Sequence, residues 1–223
     1  MTTTDQKPIL DPDDFKIVRK RKKYCFAQFF NAPNCFELEQ WKVLRPDYLV
    51  VEVGAGTGLF LVELAQKYPK KTFIALDVKG DRLQKGGREA LKRGLSNIFF
   101  VRSRAEQLLD VVETASVSEV WLTFSDPFPK KRDSDRRLTA SRFLKIYKNT
   151  LVSKNALLHM KTDSHLLFDW SLEQLVANAW RITELTYDLH RSEMPDEYKL
   201  MTTYESKWTV AGFQIYYVGA KAK

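Results

Sequence analysis

Tyr48-Leu49-Val50-Val51-Glu52-Val53-Gly54-Ala55-Gly56-Thr57-Gly58-Leu59 decides how the rest of the chain is read. An apolar run enters the glycines, and a helix-like run, Leu59 to Tyr68, leaves them. A buried strand that turns through glycines into a helix offers free N–H groups at the helix start and lets a ligand approach the backbone closely. The spacing is G-x-G-x-G, and Leu59 stands where a dinucleotide fingerprint wants glycine. No pyrophosphate-gripping Lys-Ser/Thr follows, so this is no P-loop. Glu52 sits at the strand end, before the first glycine. A carboxylate there repels a pyrophosphate and can hold the ammonium of an amino-acid moiety, a combination that suits S-adenosyl-L-methionine (SAM). Taken alone, the loop also fits a tight strand-to-helix turn with no ligand.

Outward from this loop the pattern alternates. Candidate strands lie at 48–53, 72–77, 97–101, 119–124, 155–161 and 207–218, with amphipathic helical stretches at 59–68, 80–93, 104–112, 138–150 and 164–178. Strands alternating with helices imply right-handed βαβ units, hence an α/β fold with a mostly parallel sheet and helices on both faces. Ligands then sit outside the carboxyl ends of the strands, so the residues just after each strand matter most.

Asp77 ends the second strand, about 20 residues past the glycine loop, where a carboxylate accepts both ribose hydroxyl protons. NAD and SAM proteins share this device; a helix N-cap is the alternative. The third strand runs into Ser103-Arg104-Ala105-Glu106, the turn that lies by the adenine in a SAM fold. Glu106 fits that place and an exposed first helical turn equally. The fourth strand delivers Ser125-Asp126-Pro127-Phe128-Pro129-Lys130-Lys131-Arg132-Asp133-Ser134-Asp135-Arg136-Arg137. Prolines stiffen this loop. It follows a central strand, so Asp126 is expected beside the reacting methyl group. Five basic residues follow within eight positions, placing phosphates on Lys130, Arg132, Arg136 and Arg137. Asp163 follows the fifth strand, either as a site residue or as the N-cap of the next helix.

The chain has 223 residues and a net charge of +8, which favours a polyanionic partner, nucleic acid first. Hydrophobic content of 44% places it among globular proteins rather than disordered ones. A division into a basic N-terminal arm, 1–40, and a catalytic domain, 41–223, is expected. The arm carries six basic residues between Lys16 and Lys23, followed by Tyr24, Phe26, Phe29 and Phe30. The basic run is assigned to RNA and the aromatics to docking on the core. The three histidines are scattered without metal-ligand spacing, so no metal is expected. No apolar run approaches a bilayer-spanning length, and Met1-Thr2-Thr3-Thr4-Asp5 is not the start of a signal peptide, so a cytoplasmic location is expected.

These residues resemble the bacterial tRNA (guanine-N7)-methyltransferases from about Arg19 to Val218. Glu-Val-Gly-Ala-Gly-Thr-Gly at 52–58, Ser-Asp-Pro-Phe-Pro-Lys-Lys-Arg at 125–132 with Arg136-Arg137-Leu138, and Thr202-x-Tyr204-Glu205 carry the resemblance. It implies a Rossmann-like class I SAM-dependent methyltransferase with a seven-stranded sheet, the last strand inserted antiparallel. It implies Glu52, the glycines Gly54, Gly56 and Gly58, and Asp77 as SAM contacts, with Asp126 as the central acidic residue. Lys130 and Asp163 look like contacts to the target guanosine of the tRNA variable loop. Thr202 and Glu205 look like a C-terminal pair closing over the substrate and the methionine end. The chain departs from the family at Phe128, usually Trp, and at Asp133, usually His. Arg104 replaces the Asp or Asn of the adenine loop, which leaves backbone contact there. The implied protein binds tRNA as a monomer or homodimer. An amino-methyltransferase is the second reading, although its Asp/Asn-Pro-Pro-aromatic order is exchanged here to Asp126-Pro127-Phe128-Pro129.

Overall fold

A computed structural model describes residues 9–201, 205 and 212–223. Eight strands form one sheet: β1 Cys35–Glu37, β2 Leu49–Val53, β3 Thr72–Asp77, β4 Ile98–Arg102, β5 Glu119–Thr123, β6 Leu157–Thr162, β7 Trp180–Thr186 and β8 Tyr216–Ala222. Their order is β1-β4-β3-β2-β5-β6-β8-β7. The first six pair in parallel, and β8 lies antiparallel between β6 and β7, as the resemblance implies.

The sheet has eight strands where the resemblance implies seven. Three-residue β1 adds to the edge beside β4, and it is too short to carry an alternating pattern of its own. The last strand also differs from its expected 207–218. Residues 212–215 are turn and loop, the strand starts at Tyr216 and continues to Ala222, and 207–211 lie outside the described residues. Strand β7 has no counterpart among the candidate strands, although its burial alternates residue by residue, as a half-buried strand's does.

Helices cover both faces. Phe29 of α1 (Lys20–Asn31), Leu61 of α2 (Leu59–Lys67) and Leu83 of α3 (Gly80–Lys92) join Val50, Phe73, Phe100 and Trp121 in one core cluster. Leu108 of α4 (Leu108–Val111), Phe143 of α5 (Ser141–Thr150) and Phe168 of α6 (His165–Ala177) join Leu49, Val51, Val53 and Leu122 in the other. Period-two alternation along β2 produces that split, and it turns Glu52 to the same face as Val50. Each buried Val, Leu or Phe contributes about 1.5–3 kcal/mol on leaving water, so two-sided burial holds the central strands firmly.

Glycine fixes how closely α3 approaches the loop after β2. A Cβ on Gly86 would run into the Thr57 carbonyl oxygen, so only glycine lets the helix pack there. Gly86→Ala therefore has a diagnostic sign. Helix propensity alone would stabilise by up to about 1 kcal/mol. The clash instead predicts a net loss of about 1–3 kcal/mol in denaturant unfolding, with weakened SAM binding as the 54–58 loop shifts.

Candidate active site

The carboxyl ends of the parallel strands lie along one edge of the sheet. The strand order reverses between β2 and β5, which opens a crevice at that point. Glu52 stands on one side of the crevice and Thr123 on the other. The Thr123 hydroxyl donates a short hydrogen bond to Glu52 Oε1. Glu52 is 1% exposed, and its Oε2 is a buried atom with no hydrogen-bond partner among the described residues. Burial pushes its pKa up to about 8, against the opposing pull of the Thr123 hydroxyl and the Lys161 ammonium.

The glycine loop turns through Gly54, Gly56 and Gly58, all at positive φ. Gly58 is the N-cap of α2, and a Cβ there would meet Phe100 at 2.7 Å. Gly56 has open space on its Cβ side, and its N–H donates to Asp77 Oδ2 at 2.8 Å. Asp77 Oδ1 accepts from the Lys79 N–H at 2.8 Å. Asp77 thus fills two roles at once: it braces the turn into α3, and it holds the glycine loop by the Gly56 N–H. Arg104 is exposed at the turn after β4. Glu106 pairs with Arg142 of α5 at 3.2 Å, which places it on an exposed helical face.

After β5 the chain turns sharply. Phe124 and Phe128 have φ of 49° and 39°, a left-handed conformation costing on the order of 1–3 kcal/mol each. Asp126 lies between them and is exposed, as are Lys130, Arg132 and Arg136. Arg137, expected with them at the RNA, is instead buried at 4% exposure. Its Nε and Nη2 donate to the carbonyls of Pro127 and Phe128, each at 3.0 Å. Nothing in a run of like charges marks which arginine turns inward, so sequence reasoning missed this.

Asp163 is half-buried after β6, and the cap of α6 is Ser164, whose hydroxyl accepts from the Leu167 N–H at 3.3 Å. Glu205 is fully buried, with Oε2 2.9 Å from Lys161 Nζ and Oε1 3.0 Å from His190 Nε2. Thr202 lies outside the described residues. Lys161 does not stand out among the charged residues of the sequence, although a lysine inside the apolar run Leu157–Thr162 is a usable signal. Burial pushes its pKa down, opposed by Glu205.

An orphaned buried carboxyl oxygen, an open glycine turn and a carboxylate braced beside it form a donor set that fits SAM: Glu52 for the ammonium, the glycines for close approach, Asp77 for the ribose. Fold and site together define a class I SAM-dependent methyltransferase. The sequence family described as putative methyltransferase matches residues 46–218. The tRNA (guanine-N(7)-)-methyltransferase of Mesomycoplasma hyopneumoniae strain 232 is 40% identical over 174 residues, 78% of this chain and 85% of the relative. That of Christiangramia forsetii is 37% identical over 196 residues, 85% of this chain and 87% of the relative. The chain belongs to the family of tRNA (guanine-N7)-methyltransferases. Solved structures show the same fold at much lower identity. The 16S rRNA methyltransferase KamB superposes with a TM-score of 0.62 at 15% identity, covering 80% of this chain and 89% of its own. A 16S rRNA (adenine(1408)-N(1))-methyltransferase variant from Catenulisporales acidiphilia, solved with its cosubstrate SAM, gives 0.56 at 14% identity, covering 96% and 91%.

The raised Glu52 pKa has a measurable consequence. Below pH 8 the ligand-free carboxyl holds its proton, whereas pairing with an ammonium needs the carboxylate. SAM binding at pH 7 should therefore release about one proton, falling toward zero as pH rises past 8. Calorimetry in two buffers of different ionisation enthalpy reads this directly. Glu52→Gln should abolish the release and weaken binding; identical heats in both buffers with the unaltered protein would contradict the assignment.

Proposed function

We propose that this enzyme transfers a methyl group from SAM to N7 of a guanosine in the variable loop of tRNA, giving 7-methylguanosine and S-adenosylhomocysteine. The observation that carries the reading is one juxtaposition: Asp126, in a strained loop after the switch-point strand, directly precedes an exposed cationic rim of Lys130, Arg132 and Arg136. An RNA base and its phosphates need those two features side by side.

When bound, SAM supplies an electrophilic sulfonium methyl group. Glu52 holds the amino-acid end, Gly54, Gly56 and Gly58 line the approach, and Asp77 takes the ribose. Arg104 meets the adenine through its backbone. Guanine N7 carries a lone pair and no proton, so no side chain has to remove one at that atom. Asp126 accepts from the guanine N1–H and amine and offsets the positive charge the base acquires. Lys130 and Asp163 position the guanosine. Glu205, held by Lys161 and His190, and Thr202 close over the substrate and the methionine end. Arg132 and Arg136 take phosphates, as does the basic run from Lys16 to Lys23, which leads into α1. The rest of the acceleration is proximity and orientation, worth roughly 7–11 kcal/mol in well-aligned cases. Within this reading the protein works in the cytoplasm, without metal, as a monomer or homodimer. Among the described residues no helix is long and apolar enough to cross a membrane.

Labelled methyl transfer to tRNA lacking its native 7-methylguanosine, followed by nucleoside analysis, tests the function. Label is expected in 7-methylguanosine; label in another nucleoside would sink the N7 assignment. Asp126→Ala should lose most turnover while keeping SAM affinity, and retained turnover would remove Asp126 from the chemistry. Arg136→Ala and Lys130→Ala should each lower the slope of log affinity for tRNA against log salt by about 0.7–0.9 for every phosphate no longer neutralised. Unchanged slopes would take the RNA off this rim.

A further inference from the structure

The two arginines that close the basic loop point in opposite directions. Arg136 is exposed, with its guanidinium 4.4 Å from the Phe128 ring centroid. Arg137 ends the short 3-10 turn Lys131–Arg136 in extended backbone, and its side chain turns inward. Its guanidinium donates to the two carbonyls that directly follow Asp126, those of Pro127 and Phe128. It also lies 4.5 Å from the ring centroid of Trp170 in α6.

The loop needs such a fixture. Pro127 and Pro129 have no N–H to donate. Among the described residues, the backbone of 125–129 makes no backbone–backbone hydrogen bond. Phe124 and Phe128 both hold left-handed conformations that relax unless the surroundings fix them. Arg137 ties the carbonyls of this strained stretch to α6, the helix that begins just after Asp163. One buried side chain thereby links the loop carrying Asp126 to the helix whose start carries Asp163.

We propose that Arg137 is a positioning residue that clamps the Asp126 loop against Trp170 of α6, and that it makes no phosphate contact. The proposal rests on the reading of Asp126 given above. Its test separates rate, RNA affinity and loop order. In Arg137→Ala, methylation in a single turnover at saturating tRNA and SAM should fall by about 10²-fold, the size expected when a reacting group is displaced by about 1 Å. The tRNA affinity and its salt slope should stay at wild-type values, unlike those of Arg136→Ala. Arg137→Lys, which retains a cation and a donor, should recover part of the rate. Trp170→Leu, which removes the ring and leaves the hydrogen bonds, should fall between wild type and Arg137→Ala, and it tests the clamp even if Arg137→Ala does not fold. Trypsin cleavage at the exposed Lys130, Lys131 and Arg132 should quicken in the same order as the loop loosens.

A salt slope lowered by about 0.7–0.9 with an unchanged single-turnover rate would make Arg137 a phosphate contact and overturn the clamp. Wild-type methylation rates and wild-type cleavage rates in the variants would overturn it as well. If the unaltered enzyme transferred no methyl to tRNA, the function would fall, and the cleavage measurement would still decide the clamp.

Discussion

A carboxyl group buried at the switch point of a parallel sheet constrains everything near it. Glu52 sits at 1% exposure, with one oxygen on the Thr123 hydroxyl and the other without a partner among the described residues. An isolated charge there is costly, so the group holds its proton until a cation arrives. A cationic ligand at that oxygen would take the place of the proton. A glycine loop, a threonine and the buried Asp77 lie around the group, and none of these supplies a competing cation. Lys161, a buried cation whose charge acts on Glu52, spends its hydrogen bonds elsewhere.

Lys161 makes a second buried constraint. Its ammonium donates to Glu205 at 2.9 Å, to the Leu200 carbonyl at 2.9 Å and to the Tyr198 carbonyl at 3.2 Å. The Phe60 ring lies beneath it, 4.4 Å from the nitrogen. Removing one member of such a pair costs about 3–5 kcal/mol, because a charge is left buried and alone. The ammonium therefore ties Tyr198, Leu200 and Glu205 to β6. Both Glu205 oxygens have partners inside the protein.

The parallel sheet makes the carboxyl ends legible. Once the strands are counted from Tyr48 onward, Glu52, Asp77, Arg104, Asp126 and Asp163 fall on one edge without any knowledge of side-chain packing. Three features were not legible, for separate physical reasons. Lys161 and Glu205 are 44 residues apart, and neither carries a local pattern pointing to the other. Arg137 belongs to a run of exposed cations, and only the path of the chain out of the 3-10 turn sends it inward. Strand β7 begins right after a helix end at Ala177, and its outward Leu185 at 42% exposure blurs an otherwise alternating polar face.

Phe128 and Asp133 both contact one residue, Arg136. Its guanidinium lies over the Phe128 ring at 4.4 Å, and its Nη1 is 3.7 Å from Asp133 Oδ1. A phenyl face attracts a guanidinium less strongly than an indole face does. A half-exposed ion pair adds at most about 1 kcal/mol, which is the same order as a cation–π contact at an exposed site. Asp133 and the Phe128 ring thus hold the outward arginine together, and Arg136 partly neutralises the carboxylate beside it. Both contacts act on one guanidinium, so a change at Phe128 or at Asp133 is felt through Arg136 rather than separately.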